Sequence, residues 1–218
     1  MSRHGPERIR YGWGSMDDAE LFQSWVDGDQ VAGETLYRRY FDQLYRFFRA
    51  KAPDDYEDLI QNTMLESVRS RHSYRGDAPF RAYLFGVARH RLLHFLRAKG
   101  SNRIDFESSQ NSVADVDPRP STIVARKAEH RLLLDAMRRV PVDLQIALEL
   151  HYWEDMTTNE LAAVLEIPQG TVKSRLRRGR EALMAELEKM SSDPSQRDAA
   201  LGGMETWVRE IRALVGGK

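Results

Sequence analysis

The densest group of chemically useful side chains in this sequence lies between Thr171 and Arg180. No acidic residue interrupts the cations of this run, which are Lys173, Arg175, Arg177, Arg178 and Arg180. Ammonium and guanidinium groups are the side chains that neutralise nucleic-acid phosphates. The run therefore indicates a nucleic-acid surface, although the solvated basic face of an ordinary helix is the simpler alternative.

Two helices are predicted around this run. Thr157 and Glu160 have the spacing of a capping box, which starts a helix, and Pro168 suits the first turn of a second helix after a break at Glu166 and Ile167. A helix, a tight turn and a basic second helix are typical of a helix-turn-helix, whose second helix enters the DNA major groove. The candidates for base edges are Gln169, Thr171, Lys173 and Ser174, and those for phosphates are Arg175, Arg177 and Arg178.

A second cationic segment lies between Asp77 and Asp105 and also contains no acid. It forms a long predicted helix after Pro79 and interleaves its cations with aromatic residues such as Tyr83. Surfaces of this mixed kind stack unpaired bases and neutralise phosphates, although several of the rings must belong to the core. The basic residues of this segment are Arg81, Arg89, Arg91, Arg97, Lys99 and Arg103.

His90 and His94 are four residues apart on this predicted helix, the spacing at which two imidazoles can bind zinc. A metalloprotease helix has glutamate where this sequence has Arg91, and no thiol or carboxylate completes a ligand shell. The sequence shows no paired catalytic carboxylates, no nucleophile with a base and no phosphate-cradling glycine loop. We therefore expect no metal, no cofactor and no enzymatic activity; a metal-dependent nuclease built on the two histidines is the alternative.

A length of 218 residues suits one large or two small domains. The hydrophobic fraction of 41% is enough for helical cores, and the charged fraction of 30% indicates much exposed helix surface. The absence of cysteine excludes disulfides and fits a cytoplasmic setting. No apolar run is long enough to span a bilayer, so we expect no membrane insertion. Basic and acidic residues number 33 each, so nucleic-acid contacts must come from local patches, and acidic surface remains for another partner.

Hydrophobic residues recur at helical spacing on both sides of a polar stretch. This pattern predicts an all-α protein of two helical domains joined by a flexible linker, the second a helix-turn-helix domain of winged-helix-like type. In the third helical segment Leu59, Met64, Leu65 and Val68 are predicted to form the buried side. The predicted divisions are a disordered N-terminal segment (1–16), a first domain (17–100), a linker (101–121), a second domain (122–190) and a C-terminal extension with a short amphipathic helix (191–218).

Segments in both domains resemble extracytoplasmic-function (ECF) sigma factors, the two-domain branch of the sigma-70 family. The family's C-terminal domain, which reads the upstream promoter element, resembles this segment of the sequence: HYWEDMTTNELAAVLEIPQGTVKSRLRRGREAL. The family's first conserved region, its polymerase-binding region and its promoter-melting region resemble, in order, GDQVAGETLYRRYFDQLYRF, YEDLIQNTMLESV and PFRAYLFGVARHRLLHFLRAK. The resemblance covers roughly residues 17 to 190. It implies a factor that directs promoter-specific transcription initiation, in a stress or envelope-signal response under anti-sigma control.

The resemblance also implies roles for individual residues. Asp58 and Gln61 match the pair that binds the beta-prime clamp of core RNA polymerase, with Leu59 and Leu65 packing behind them. The loop from Arg71 to Gly76 matches the place that captures a flipped-out base of the downstream promoter element. The residues carried over to promoter DNA in this domain are Arg71, His72, Tyr74 and Arg75 of the loop and Tyr83, Arg89, His90 and Arg97 of the following helix.

Five positions depart from the family's pattern. Met64 replaces a usual Phe, and His90 and His94 stand where Asn and Asp are common. Glu166 replaces the common Gly of the turn, where a left-handed backbone is costly for a residue with a side chain. Gly179 replaces a usual Ala, which lowers helix propensity by about 1 kcal/mol.

The predicted linker makes DNA binding depend on a partner. A flexible tether of about 20 residues averages ~25 Å, whereas promoter elements two helical turns apart are separated by ~70 Å. We expect the free protein to hold its two DNA surfaces at the wrong separation until core polymerase stretches the linker. The alternative, a stand-alone repressor or activator that uses only its C-terminal reader, would bind duplex DNA tightly without polymerase.

Overall fold

The computed structural model describes residues 16–74, 76–99 and 132–190. These residues contain helices and no strand, which confirms the all-α prediction and leaves no wing within the described ranges. The predicted N-terminal segment (apart from Met16), the linker, the start of the second domain and the C-terminal extension lie outside them. The elements are α1 (Asp18–Val26), α2 (Gln30–Arg49), α3 (Tyr56–Arg69), a short 3-10 helix (Arg71–Ser73), α4 (Phe80–Ala98), α5 (described over 132–139), α6 (Val142–Tyr152), α7 (Thr158–Leu165) and α8 (Gln169–Met190).

The first domain consists of α1 to α4, and local signals set its helix starts. Asp17 and Glu20 form a capping box at α1. After Gly28, whose φ of 105° suits a residue without a side chain, the carboxylate of Asp29 accepts hydrogen bonds from the first backbone amides of α2. The apolar faces of the four helices then bury a common core that includes Leu21, Leu36, Leu44, Phe48, Ile60, Leu84, Phe85 and Leu92.

The second domain consists of α5 to α8 and contains the predicted helix-turn-helix. The capping box is present at α7: the Thr157 hydroxyl accepts from the Glu160 amide at 3.2 Å, and the Glu160 carboxylate accepts from the Thr157 amide at 2.8 Å. The chain turns at Glu166, whose φ of 55° and ψ of 43° are left-handed, as expected. Pro168 then precedes α8, and Val172, Leu176, Leu183 and Leu187 pack into the domain core.

Gly179 has a packing role that its low helix propensity does not reveal. A Cβ atom at this position would lie 3.0 Å from Cγ of Leu148, a fully buried side chain of α6. The absence of a side chain therefore lets α8 approach α6 closely. The helix-propensity cost of glycine is offset by the close packing of the two helices.

The two domains pack against each other, mainly through α4 of the first and α7 of the second. Ion pairs also join the two domains, among them Lys51 with Glu149 and Arg81 with Glu160. Among the described helices, none combines the length and the apolar composition needed to cross a membrane.

Candidate nucleic-acid interface

The basic face of α8 is exposed along one side of the helix. Gln169, Lys173 and Arg177 follow one another at intervals of four residues and are all exposed, whereas Val172 and Leu176 face the domain core. Gln169 Nε2 donates to Thr158 Oγ1 at 2.9 Å, which joins the start of α8 to the start of α7. The arrangement presents a polar and cationic ridge at the surface, as a groove-reading helix requires.

The remaining predicted residues of α8 differ in their exposure. Arg178 is exposed, while Thr171, Ser174 and Arg175 are half-buried. The Ser174 hydroxyl donates to the Thr171 carbonyl at 2.8 Å, and Nη1 of Arg175 is buried without a hydrogen-bond partner. Ser174 and Arg175 therefore lie at the edge of the ridge.

The loop after α3 places its predicted residues in two environments. Arg71 and His72 are exposed on the 3-10 helix, whereas the Tyr74 ring is half-buried against aromatic neighbours. Its centroid lies 5.2 Å from that of Tyr83 and 5.6 Å from that of Phe22. Burial raises the pKa of the Tyr74 hydroxyl, with Asp17 and Asp18 adding to the shift. Arg75 lies outside the described residues.

Tyr83 is fixed in place by hydrogen bonds. Its hydroxyl donates to the Ser67 carbonyl at 2.6 Å and lies 2.9 Å from Ser70 Oγ, and burial raises its pKa. Two other rings of this segment, Phe80 and Phe85, are buried in the core. Tyr83 thus forms a fixed wall and is not a freely mobile stacking platform.

A cleft of about 680 Å³ opens beside this wall. One side carries Tyr83, His94 and Arg97 of α4, and the other side carries Ala163 and Glu166 of the second domain. The first domain alone therefore does not enclose the cleft, because α7 and the turn after it complete one side.

The cations of α4 are engaged to different degrees. Arg89 has only 13% of its side chain exposed, its Nη2 lies 3.8 Å from Asp143 Oδ1, and its Nε is buried without a partner. His90 Nε2 lies 3.1 Å from Glu166 Oε1, while Arg97 is exposed. Within the described ranges, no group of three or more potential ligands is placed to hold a metal ion.

The predicted polymerase-binding residues form a stripe on α3, with one correction. Asp58, Gln61 and Leu65 are all exposed, whereas Leu59 is buried with 6% exposure. Leu65 is 52% exposed, so the prediction that it packs behind Asp58 and Gln61 and on the buried side of the helix was wrong. Adjacent residues point about 100° apart on a helix, and Met64, at 5% exposure, takes the core position.

Family comparisons agree with this division of surfaces. The family described as "Sigma-70 region 2" matches residues 36–102, which include α3 and α4, and the family described as "Sigma-70, region 4" matches residues 130–183, which include the helix-turn-helix. The chain belongs to the sigma-70 family. The promoter-directed initiation of transcription implied by the motifs is the activity of this family, and the chain is an ECF sigma factor within it.

Relatives of this sigma factor support the assignment over most of its length. It is 27% identical over 178 residues to the ECF RNA polymerase sigma-E factor of Haemophilus influenzae, covering 77% of this chain and 94% of the relative. It is 26% identical to the sigma-E factor of Escherichia coli K12, covering 77% and 93%.

Two solved structures share the fold. The structure of CnrH in complex with the cytosolic domain of CnrY matches with a TM-score of 0.59 and 23% identity, covering 80% of this chain and 99% of that chain. The sigma factor RpoE in complex with the anti-sigma factor NepR from Bartonella quintana matches with a TM-score of 0.52 and 21% identity, covering 71% and 96%.

Proposed function

We propose that this sigma factor binds core RNA polymerase and uses two separate surfaces to select and open promoters. The observation that carries the proposal is the presence, on one chain and in the family's order, of region 2 at residues 36–102 and region 4 at residues 130–183. In this proposal residues 17–100 form the polymerase-binding and strand-opening domain. Residues 122–190 form the domain that reads the upstream element.

The polymerase surface in this proposal is the α3 stripe of Asp58, Gln61 and Leu65. An exposed leucine beside a carboxylate and an amide supplies apolar area for burial and polar groups for orientation. Leu59 lies beneath the stripe in the core and supports it from within. The partner is the beta-prime clamp that the family's matching residues bind.

The DNA surfaces divide the work between duplex and single strand. The exposed ridge of α8 reads the major groove of the upstream element, with Lys173 among the base readers and Arg177 and Arg178 on phosphates. The loop at Arg71 and His72, together with Arg97, holds the opened strand of the downstream element. Opening requires no chemical catalysis, because preferential binding of unpaired bases shifts the duplex toward the open state.

An anti-sigma protein is the proposed regulator. CnrH and RpoE, which share this fold, were solved with CnrY and NepR bound. We propose that the present factor acts in the cytoplasm and is held by such a partner until a stress or envelope signal releases it.

Reconstituted run-off transcription tests the polymerase contact. Purified core enzyme is assayed with and without the sigma factor on genomic templates, and initiation at new, discrete start points is expected only when the factor is present. Leu65→Ala should weaken core binding by about tenfold, because truncating a central apolar anchor commonly costs about 1 to 2 kcal/mol.

Val31→Ala is the matched control, since Val31 is also 52% exposed but lies on α2. Equal loss of core binding in the two variants would remove the α3 stripe as the docking surface. Failure of the wild-type protein to bind core enzyme or to redirect initiation would overturn the proposed function itself.

A further inference from the structure

The first residue of α8 is held by the first residue of α7. Gln169 is exposed, and its Nε2 donates a hydrogen bond of 2.9 Å to Oγ1 of Thr158. The two residues are 11 positions apart along the chain. This bond therefore links the N-terminal ends of the two helices that form the helix-turn-helix.

Thr158 lies on a well-fixed part of the second domain. The capping box of Thr157 and Glu160 sets the start of α7, and this helix packs against α6 and α8. The Thr158 side chain is half-buried, and a β-branched side chain in a helix has few χ1 rotamers. The hydroxyl that accepts from Gln169 thus has a defined position.

The bond leaves a defined pair of atoms at the tip of Gln169. An amide group has two N–H donors and one carbonyl acceptor, and Thr158 uses one of the donors. Within the part of the chain that the structure describes, Oε1 and the second N–H have no other hydrogen-bond partner. The side chain therefore presents an acceptor beside a donor. This pattern complements the major-groove edge of adenine, where N6 donates and N7 accepts.

The other bases match this pattern less well. Guanine presents two acceptors in the major groove, so a bidentate contact with it needs two donors. Cytosine presents only a donor, and thymine presents one acceptor beside a methyl group. An amide turned the other way, with Oε1 toward Thr158, would present two donors and favour guanine. The orientation in the structure, with Nε2 toward Thr158, favours adenine.

The start of α8 leaves room for a base edge beside Gln169. The next residue is Gly170, at which a Cβ atom would meet no atom within 4 Å beyond its chain neighbours and its own helix backbone. Packing inside the protein therefore does not require glycine here. Its missing side chain lets the exposed start of the helix approach the floor of a groove closely, as the early residues of a groove-reading helix do.

We propose that Thr158 is a positioning residue for base recognition: by holding the amide of Gln169, it makes Gln169 select adenine at one position of the upstream element. The inference rests on the proposed function, because it deepens the role of α8 as the reader of duplex DNA. A free glutamine side chain loses much rotamer freedom when it is fixed on a base. The bond to Thr158 fixes the amide before DNA binds, and such pre-organisation strengthens the contact.

The test uses the holoenzyme, reconstituted from core polymerase and the full chain. A promoter found in the run-off experiment is rebuilt as a pool of templates with a randomised upstream element and a barcode in the transcribed part. Sequencing of the transcripts then gives the base preference at every position. We expect adenine to be favoured at one position and Gln169→Ala to remove this preference, a loss of about tenfold or more. Thr158→Val keeps the shape of the side chain without the acceptor and should lower the preference by about fivefold, the usual contribution of one hydrogen bond.

Two further variants separate positioning from a structural role. Thr158→Ser keeps the hydroxyl and should retain most of the adenine preference. In the Gln169→Ala background, adding Thr158→Val should cause no further loss, because a positioning residue acts only through the side chain that it holds. Thr158→Ala removes the same acceptor and replaces the valine variant if that protein is poorly folded, since alanine has the highest helix propensity.

Three results would overturn the inference. They are a preference for guanine at the position that depends on Gln169, the absence of any position that responds to Gln169→Ala, and an equal weakening of all base preferences in Thr158→Val. Failure of the proposed function would appear earlier, as a lack of initiation at discrete start points in the run-off experiment, and this inference would fail with it.

Discussion

The two cationic helices of this sigma factor, α4 and α8, have similar patterns of charged residues but different surroundings. Both α4 and the first half of α8 carry arginines without intervening acids. On α8 the cations Lys173, Arg177 and Arg178 lie in the open, whereas on α4 Arg81 and Arg89 contact acids from the other domain. Local charge alone therefore does not tell whether a basic helix is available to a ligand.

The difference teaches that the cations of a basic helix can be covered by carboxylates of another domain. The net charge of the whole chain is zero, and some of its acidic residues cover some of its basic residues in the folded protein. The exposure of Arg81 and Arg89 therefore depends on how the two domains pack.

The largest expected effect comes from breaking the most buried pair. Glu149→Ala leaves Lys51, whose side chain has no exposure, without a counter-charge, and should lower the free energy of unfolding by about 3 to 5 kcal/mol. Burial lowers the pKa of Lys51 and raises the pKa of Glu149, each opposed by the charge of the other. Urea denaturation followed by circular dichroism measures the loss.

The matched variant replaces both residues with methionine, which restores an uncharged and filled interior and should recover most of the lost stability. A loss below about 1 kcal/mol in Glu149→Ala would mean that Lys51 reaches solvent easily. The ion pair would then contribute little to holding the two domains together.

Two helical glycines offer a sharper comparison of α4 with α8. A Cβ at Gly86 of α4 would meet no atom within 4 Å, so Gly86→Ala should stabilise the protein by about 1 kcal/mol through helix propensity. Gly179→Val of α8 should destabilise it by about 1 to 3 kcal/mol, because the added atoms press on Leu148. Thermal unfolding of the two variants measures both effects. Stabilisation by both substitutions would show that α6 can move away from α8 without cost.

The exposed ridge of α8 can be tested through its salt dependence. Arg177→Ala with Arg178→Ala should lower the slope of the logarithm of duplex affinity against the logarithm of salt concentration by about 1 for each phosphate that is no longer neutralised. Binding of single-stranded DNA should not change, since the surface proposed for the opened strand lies on α4 and on the loop before it. Arg38→Ala, which removes an exposed cation of α2, is the control, and a matching change in its slope would point to nonspecific charge.

A pH dependence is also expected at the interface between the domains. Hydrogen bonds from Arg81 and Thr157 outweigh the opposing effect of burial and hold the pKa of Glu160 below its usual value of 4.5. A lowered folded-state pKa contributes stability that is present above 4.5 and is lost as the pH falls through the folded-state value. The free energy of unfolding of the wild type should therefore be higher than that of Glu160→Gln by about 1 to 2 kcal/mol near neutral pH. This difference should vanish in acid.

Denaturation of both proteins across this pH range measures the difference directly. Because only position 160 differs, the titration of Glu149 and of the other carboxylates cancels. If the difference in unfolding free energy persisted unchanged at pH values below the folded-state pKa of Glu160, Arg81 would not depend on an ionised Glu160 as its partner.

The sequence was sufficient wherever the decisive contacts are local. Thr157 and Glu160 of the capping box are three positions apart, and the break before Pro168 was predicted at Glu166 and Ile167, where the chain leaves α7. The sequence predicts Leu65 on the buried face of α3 because Met64 and Leu65 are adjacent apolar residues and either could occupy that face. Only the packing of the folded domain shows that Met64 is buried and Leu65 exposed.

The contacts between domains could not be predicted, because the partners are far apart along the chain. Lys51 and Glu149 are separated by 98 positions, and Arg81 and Glu160 by 79. No periodicity within either helix reports such a pairing. The close approach of Gly179 to Leu148 is hidden for the same reason, since it depends on how α6 and α8 cross.

The length of α8 sets how this factor can meet a promoter. The helix runs for 22 residues, about 33 Å, with Gln169 and Lys173 exposed near one end and Leu183 and Leu187 anchored in the core near the other. The exposed end, which we propose reads the groove, and the buried base thus belong to one helix, and the exposed end cannot tilt within its domain without repacking the base. The angle at which it approaches an upstream element is then set by the placement of the whole second domain on the DNA.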